Sequence, residues 1–418
     1  MKEYENDVLE RMPQEELHAL QLKLFNRQLQ RAGRAPAYHG KLPEKIMNLS
    51  EIKTLPLTTK EDLRKNFPYG FLAVEKEKIL RFNASSGTTG IPTLAYFTQS
   101  DIEYLTQRGV RHLTMAHLNS QNILQSMIVD DLFVGGWFPH NAALKMGITL
   151  LPAGKGNTKR QIDLLKQLKA DAAVATCGYI QYLLNQLSDE DMAQINLKTV
   201  LIGSEPVSRA FCEVAREKYG IEIYESYGLT ESGGPLAQEC DCHNGLHMPE
   251  DQVYMEIIDP QTCEVLPDGE YGELVITPLE QEAMPLIRYR TRDITRIIPD
   301  TCRCGRTHRL IEPITHRLDD MLIVNGVNIF PSQIEECLYQ HLPVATNYLI
   351  HVVDNNGLKK LIIDVELPDT LLQNKDELEE VLLQTLKGYI TVTPKLNFVA
   401  IGTLPEVVGK AKRVDIIK

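Results

Sequence analysis

Apolar positions recur at helical spacing near the start of the chain: Leu17, Leu20, Leu24, Phe25 and Leu29 share one face of residues 13–32, and Gly33 follows as a C-cap. The spacing predicts an amphipathic helix that serves as scaffold. From about residue 79 to 275, short apolar runs alternate with helical patterns. Ile148 to Leu151, Ala172 to Ala175, Val200 to Ile202 and Ile221 to Tyr224 predict strands, while 158–169 and 179–187 predict helices between them. Such alternation implies α/β layering with parallel strands. After Asp319 the pattern changes to a strand at 320–324, a helix at 331–340 and strands at 346–353 and 359–366 around Asn355-Asn356-Gly357. A helix at 375–388 and a last strand near 396–401 complete a small α+β unit. The expected organisation is therefore a large domain of layered sheets and helices over 1–318 and a smaller, mobile α+β domain over 319–418.

Composition narrows the function classes. The 418 residues carry 44 Lys+Arg against 56 Asp+Glu, a net charge of −12, which disfavours a broad nucleic-acid or anionic-membrane surface but leaves room for a local basic pocket. The N-terminus has no basic segment followed by an apolar one, and no run of 18 apolar residues occurs, so a cytoplasmic protein is expected. Eight cysteines are too sparse for a disulfide scaffold, and in a reducing compartment they point to free thiols or a metal site.

The segment Asn83-Ala84-Ser85-Ser86-Gly87-Thr88-Thr89-Gly90-Ile91-Pro92-Thr93 packs hydroxyls and glycines between the strand-like runs Ile79 to Phe82 and Leu94 to Thr98. Glycines let backbone N–H groups approach an anion and hydroxyls add donors, which suits a polyphosphate. A Walker A loop is excluded, because the required Lys and the following helix are missing. Taken alone, the segment reads equally as an ordinary turn. Downstream, however, come Gly203-Ser204-Glu205-Pro206, Tyr224-Glu225-Ser226-Tyr227-Gly228-Leu229-Thr230-Glu231, Ile287-Arg288-Tyr289-Arg290-Thr291-Arg292-Asp293, Arg317-Leu318-Asp319-Asp320 and, close to the end, Gly409-Lys410-Ala411-Lys412-Arg413.

This ordered series resembles the adenylate-forming superfamily of acyl-CoA synthetases, adenylation domains and luciferases, and within it the phenylacetate-coenzyme A ligases. The resemblance runs from about residue 13 to the end. It implies an ATP-dependent carboxylate-CoA ligase that forms an acyl-adenylate and then an aryl- or arylacetyl-CoA thioester, releasing AMP and pyrophosphate, with ATP, Mg²⁺ and coenzyme A as cofactors. Ser85, Ser86, Gly87, Thr88, Thr89 and Gly90 would hold the β- and γ-phosphates. Ser204, Glu205, Pro206, Glu225, Ser226, Tyr227 and Gly228 would border the nucleotide, with Tyr227 against adenine. Thr230 would contact the α-phosphate and Glu231 would bind Mg²⁺, a hard cation suited to a carboxylate. Asp293 would accept from the ribose hydroxyls with Arg317 assisting, Lys410 would be the mobile catalytic lysine, and Asp319 the hinge. The acyl pocket is expected near Phe133, Trp137, Phe138, Tyr179, Gly203, Gly233, Gly234 and Pro235. Related ligases are often homodimers.

Three residues depart from the family pattern: Ile91 where a basic residue is common, His316 where Gly is common, and Asn325 where Arg is common. They bear on the second half-reaction. One alternative is an adenylating enzyme that passes the acyl group to an amine or a carrier thiol; another is a non-catalytic nucleotide-binding protein.

Cys240, Cys242, His243 and His247 lie close together, and Cys302, Cys304 and His308 follow about 60 residues later. Two such knuckles suit a tetrahedral zinc site stapling two loops; free buried thiols are the other reading. Similar clusters occur in some phenylacetate-coenzyme A ligases. The expected ligands are Cys240, His247, Cys302 and Cys304, with Cys242 and His308 as alternates. Four protein ligands leave no open position, so the metal would be structural.

Overall fold

The computed structural model describes residues 4–417 except 86–92, 133, 206, 315, 319, 326, 343–345, 356–357, 374, 391 and 406–412. The first long helix is Gln14–Ala32, which buries Leu17, Leu24, Phe25 and Leu29 and ends where the Gly33 N–H donates to the Leu29 carbonyl at 2.9 Å. Its apolar stripe is the one the spacing predicts. It packs against an antiparallel sheet of Val253–Ile258, Gly272–Pro278, Tyr289–Thr295 and His316–Arg317, with Met255, Leu274 and Ile276 in the same apolar core.

A nine-stranded sheet forms the centre of the chain. Its parallel part runs, in spatial order, Thr149–Pro152, Ile123–Ser126, Ala172–Thr176, Thr199–Gly203 and Glu222–Leu229. Four of these strands match the expected runs within a few residues; Ile123–Ser126 was not anticipated. Ala172, Ala173, Val174 and Ala175 are all buried, as a parallel strand covered on both faces must be. One face carries Leu165, Ile180, Leu183 and Phe211; the other carries Leu113, Leu124, Ala142 and Leu201. Beyond Leu229 the chain turns back as Gly234–Glu239, antiparallel to Glu222–Leu229, with a bulge at Tyr227/Gly228. Gly228 is obligatory there, since a Cβ would stand 2.4 Å from the Gly234 carbonyl oxygen.

The C-terminal part has its own core, with Ile334, Leu338, Ile350, Ile363, Leu382 and Leu386 buried together. Helix Pro331–His341 and strands Tyr348–Asn355 and Leu358–Leu367 lie where the pattern places them, as do helix Lys375–Ile390 and strand Lys395–Ala400. The expected strand at 320–324 is half of a hairpin, Leu322–Val324 with Val327–Ile329. Strand Val414–Ile417, parallel to Tyr348–Asn355, is an addition to the expected set. Among the described residues no helix is long and apolar enough to cross a membrane.

Candidate active site and a cysteine–histidine knuckle

Parallel strands present their C-terminal ends to the same side, which is where open α/β sheets bind ligands. Here Gly203 closes strand Thr199–Gly203 and Thr230 follows strand Glu222–Leu229, and both line a cavity of about 480 Å³. Ser204, next in the chain, is held at φ 75°, which carries the loop away from the sheet and past the cavity.

Of the residues expected to meet the nucleotide, Ser85, Ser204, Ser226, Gly228, Thr230 and Glu231 line this cavity, and Arg317 lines it too. Tyr289 donates its hydroxyl to Glu231 Oε1 at 2.9 Å, fixing the carboxylate that is expected to hold Mg²⁺. Tyr227 and Asp293 stand behind the wall. The Tyr227 hydroxyl donates to Asp293 Oδ2 at 2.6 Å, and Arg317 Nε faces Asp293 Oδ1 at 3.2 Å. Asp293 and Arg317 are register partners on neighbouring strands, which explains the pairing. Burial raises the Asp293 carboxyl above its ordinary range, with the Arg317 charge opposing. Oδ1 is buried and faces the Arg317 guanidinium, while Oδ2 takes the Tyr227 hydroxyl.

Glu205 and Glu225 are not brought to the cavity. Glu205 accepts from the Gly178 backbone N–H at 2.8 Å, capping the helix Cys177–Asn185. Glu225 is buried, and burial, followed by the neighbouring Glu239 charge, pushes its carboxyl up to about 8. Ser86, Gly87, Thr88, Thr89, Gly90, Ile91, Phe133, Pro206, Asp319 and Lys410 lie outside the described residues.

On the acyl side, Phe138, Gly203, Gly234 and Pro235 line the cavity as expected. Trp137 and Tyr179 do not. Trp137 is 2% exposed and packs on Phe97 and Phe138, and Tyr179 belongs to the core on one face of the parallel sheet. Gly233 also stands back, at φ 86° against Leu105. Aromatic character alone could not separate wall from core. The sequence reading missed Gly109, His112 and Leu113, which enter from helix Gln99–Met115, and Lys60 and Arg64 from helix Lys60–Lys65. The Thr59–Asp62 capping box that starts the latter was a usable signal.

Two departures from the family pattern have local structural causes. Asn325 sits at φ 51°, a conformation Asn tolerates, and its amide donates to the Lys359 carbonyl at 2.8 Å while accepting from the Lys359 N–H at 2.9 Å. His316 packs edge-on against Phe330, with ring centroids 4.4 Å apart, just outside the small C-terminal core.

The cysteine–histidine cluster assembles as the first choice of ligands had it. Ligand atoms of Cys240, His247, Cys302 and Cys304 all lie within 4.8 Å of one another. Cys240 Sγ is 3.6 Å from Cys302 Sγ, and Cys304 Sγ is 3.3 Å from His247 Nε2. Tetrahedral zinc with bonds of about 2.3 Å to sulfur requires S···S edges of roughly 3.8 Å, so the group fits the ion. His247 Nδ1–H donates to the His308 carbonyl at 3.0 Å, which leaves Nε2 unprotonated and turned to the sulfurs. Cys242 lies outside the group, and His308 supports it through its backbone.

Residues 37–278 match the AMP-binding enzyme family, and residues 326–415 match the AMP-binding enzyme C-terminal domain. A phenylacetate-coenzyme A ligase of Aromatoleum evansii is 37% identical over 98% of this chain and 96% of its own length. The structure of a 2-hydroxyisobutyryl-CoA ligase in its postadenylation state, with an acyl-AMP, superimposes with a TM-score of 0.91 at 22% identity, over 99% of this chain and 92% of that one. The same ligase in its thioesterification state, with coenzyme A, gives 0.73 at 23% identity over 100% and 93%.

Proposed function

The chain belongs to the AMP-binding enzyme family and, within it, to the phenylacetate-coenzyme A ligases, and from that premise we propose that it is an AMP-forming acid–thiol ligase for an aromatic carboxylic acid. The observation that carries this reading is one cavity with a phosphate-side wall of Ser85, Ser204, Thr230, Glu231 and Arg317 continuous with an apolar wall of Val134, Phe138, Val174 and Leu201. A nucleotide and an acyl group in contact require such a composite wall.

Attack of the acid carboxylate on the α-phosphorus needs alignment and neutralisation of negative charge more than covalent help. Thr230 presents its hydroxyl to the α-phosphate, and the loop 85–90 takes the outgoing phosphates. Glu231, oriented by Tyr289, would hold Mg²⁺, which when bound would supply charge neutralisation on phosphate oxygens. Asp293, its plane fixed by Tyr227 and Arg317, is the carboxylate that accepts from the ribose. Lys410 neutralises charge at the reacting centre during adenylation. Residues 319–418 would then act as a lid pivoting at Asp319, and the coenzyme A thiol would attack the acyl carbonyl of the adenylate, displacing AMP and giving the thioester.

Zinc in the Cys240, His247, Cys302 and Cys304 group is structural in this reading, since the four ligands close its coordination. We place the enzyme in the cytoplasm as a homodimer. Asn325, which motivated an amine or carrier acceptor, has a structural task in its hairpin, so coenzyme A remains the acceptor. The test is isotopic ATP–pyrophosphate exchange across aromatic and aliphatic acids. Exchange with aryl or arylacetic acids is expected; silence across the panel contradicts the reading.

A further inference from the structure

Cavity walls that bind purely apolar groups have no reason to keep an unsatisfied polar atom. The inner end here is closed by Leu113, Val174 and Leu201, which also belong to one apolar core. Val174 and Leu201 each lie two residues inside the strand ends at Thr176 and Gly203, roughly 6–7 Å deeper in the sheet than the phosphate-side residues. In the same wall stands His112, 4% exposed, its ring tilted on Phe138 at 5.7 Å between centroids. His112 makes one hydrogen bond, to the Leu236 backbone carbonyl, and Nδ1 is buried with no partner. The bonded nitrogen, Nε2, therefore carries the proton and Nδ1 is a bare acceptor.

The imidazole is neutral at working pH. Burial, and then the Arg108 and Arg111 charges, push it down to about 3. Those cations are already engaged: Arg111 forms a two-pronged pair with Asp251 at 2.7 and 2.9 Å, and Arg108 Nε donates to Gln252 at 2.8 Å. His112 is thus held in place from behind, with an acceptor and no charge to offer.

We infer that His112 Nδ1 is a specificity-determining acceptor for a hydroxyl or amino substituent at the end of the acyl group remote from its carboxylate, so that the preferred acid is a ring-hydroxylated or ring-aminated arylacetate or benzoate. The inference rests on the ligase reading above. A site built to bond a donor discriminates strongly against an analogue lacking it, because the buried acceptor is then left unpaired.

The experiment compares kcat/KM in ATP–pyrophosphate exchange for phenylacetate, its three monohydroxy isomers, an aminophenylacetate series and the matching methoxy compounds. At least one hydroxy or amino isomer is expected to exceed phenylacetate by about tenfold or more. Its methoxy counterpart, which has the bulk but no donor, should fall below phenylacetate. In His112→Phe the preference, read as the ratio of kcat/KM values, should collapse towards unity; His112→Gln, which keeps an acceptor, should retain part of it. Wild-type kcat/KM equal for hydroxy, methoxy and unsubstituted acids overturns the inference without any variant and leaves the ligase reading intact. Preference unchanged in a folded His112→Phe also overturns it. Absence of exchange with every acid removes both.

Discussion

Two clusters of chemically capable side chains lie on this chain, and they are built in opposite ways. In the cysteine–histidine knuckle the four ligands face one another; Tyr4 donates to the Cys304 carbonyl at 2.6 Å, and Arg306 pairs with the fully buried Glu10 at 2.7 Å. In the cavity wall, His112 Nδ1 lacks a hydrogen bond. Buried polar groups are ordinarily satisfied, and a missing partner costs about 1–3 kcal/mol. In the proposed reading, a metal would complete the first cluster, and substrate and nucleotide would complete the second. Changes in the cavity should therefore alter turnover with little effect on stability, and changes in the knuckle should do the reverse.

The largest effect is expected at Lys410. Lys410→Ala should lower exchange by about 10²–10³-fold while leaving thioester formation from a supplied acyl-adenylate largely intact. Comparable loss of both half-reactions would break the assignment. Next, Asp293→Asn, which keeps an oxygen acceptor for the Tyr227 hydroxyl, should raise KM for ATP by roughly 10–100-fold with a smaller change in kcat and a melting temperature close to wild type. A large stability loss would place Asp293 with the structural groups.

In the knuckle, Cys302→Ala should cost about 3 kcal/mol or more in chemical denaturation, with kcat of the surviving folded protein nearly unchanged. Elemental analysis of the wild type should find one zinc per chain; its absence would contradict the site. The smallest effect concerns Glu225. Its folded-state carboxyl titrates near 8, above the ordinary 4.5, so the folded chain binds the proton more tightly than the unfolded chain does. Stability should therefore fall as pH rises between those values. Glu225→Gln should flatten that slope by an amount on the order of 1 kcal/mol or more, read from urea midpoints at pH 5, 6.5 and 8. An unchanged slope would contradict the burial argument.

Local periodicity revealed most of the parallel strands and nearly the whole C-terminal unit, because their apolar runs are short, regular and bounded by turns. It did not reveal helices Gln99–Met115 and Val134–Met146. The first buries Arg108, Arg111 and His112, whose polarity hides the inward face until Asp251, Gln252 and the Leu236 carbonyl are brought to meet them. The second has Pro139 inside it and apolar residues around much of its circumference, so it carries no clear stripe. For the site, motif order picked out Ser204, Thr230, Glu231 and Arg317, which line the cavity, and the two knuckles together with the resemblance picked out Cys240, His247, Cys302 and Cys304, which lie together. It could not separate Phe138, in the wall, from Trp137, one residue earlier and turned into the core. Nor could it find His112, which depends on a tertiary hydrogen bond to leave its other nitrogen bare.

The central claim is that one cavity completes an acyl-adenylate before any thiol is needed. Mixing the enzyme at substrate-like concentration with ATP, Mg²⁺ and a preferred acid, without coenzyme A, tests it directly. A burst of pyrophosphate close to one per active site is predicted, with acyl-AMP retained and converted to thioester and free AMP when coenzyme A is added. Pyrophosphate release only after coenzyme A is added, or ADP in place of AMP, would contradict the account.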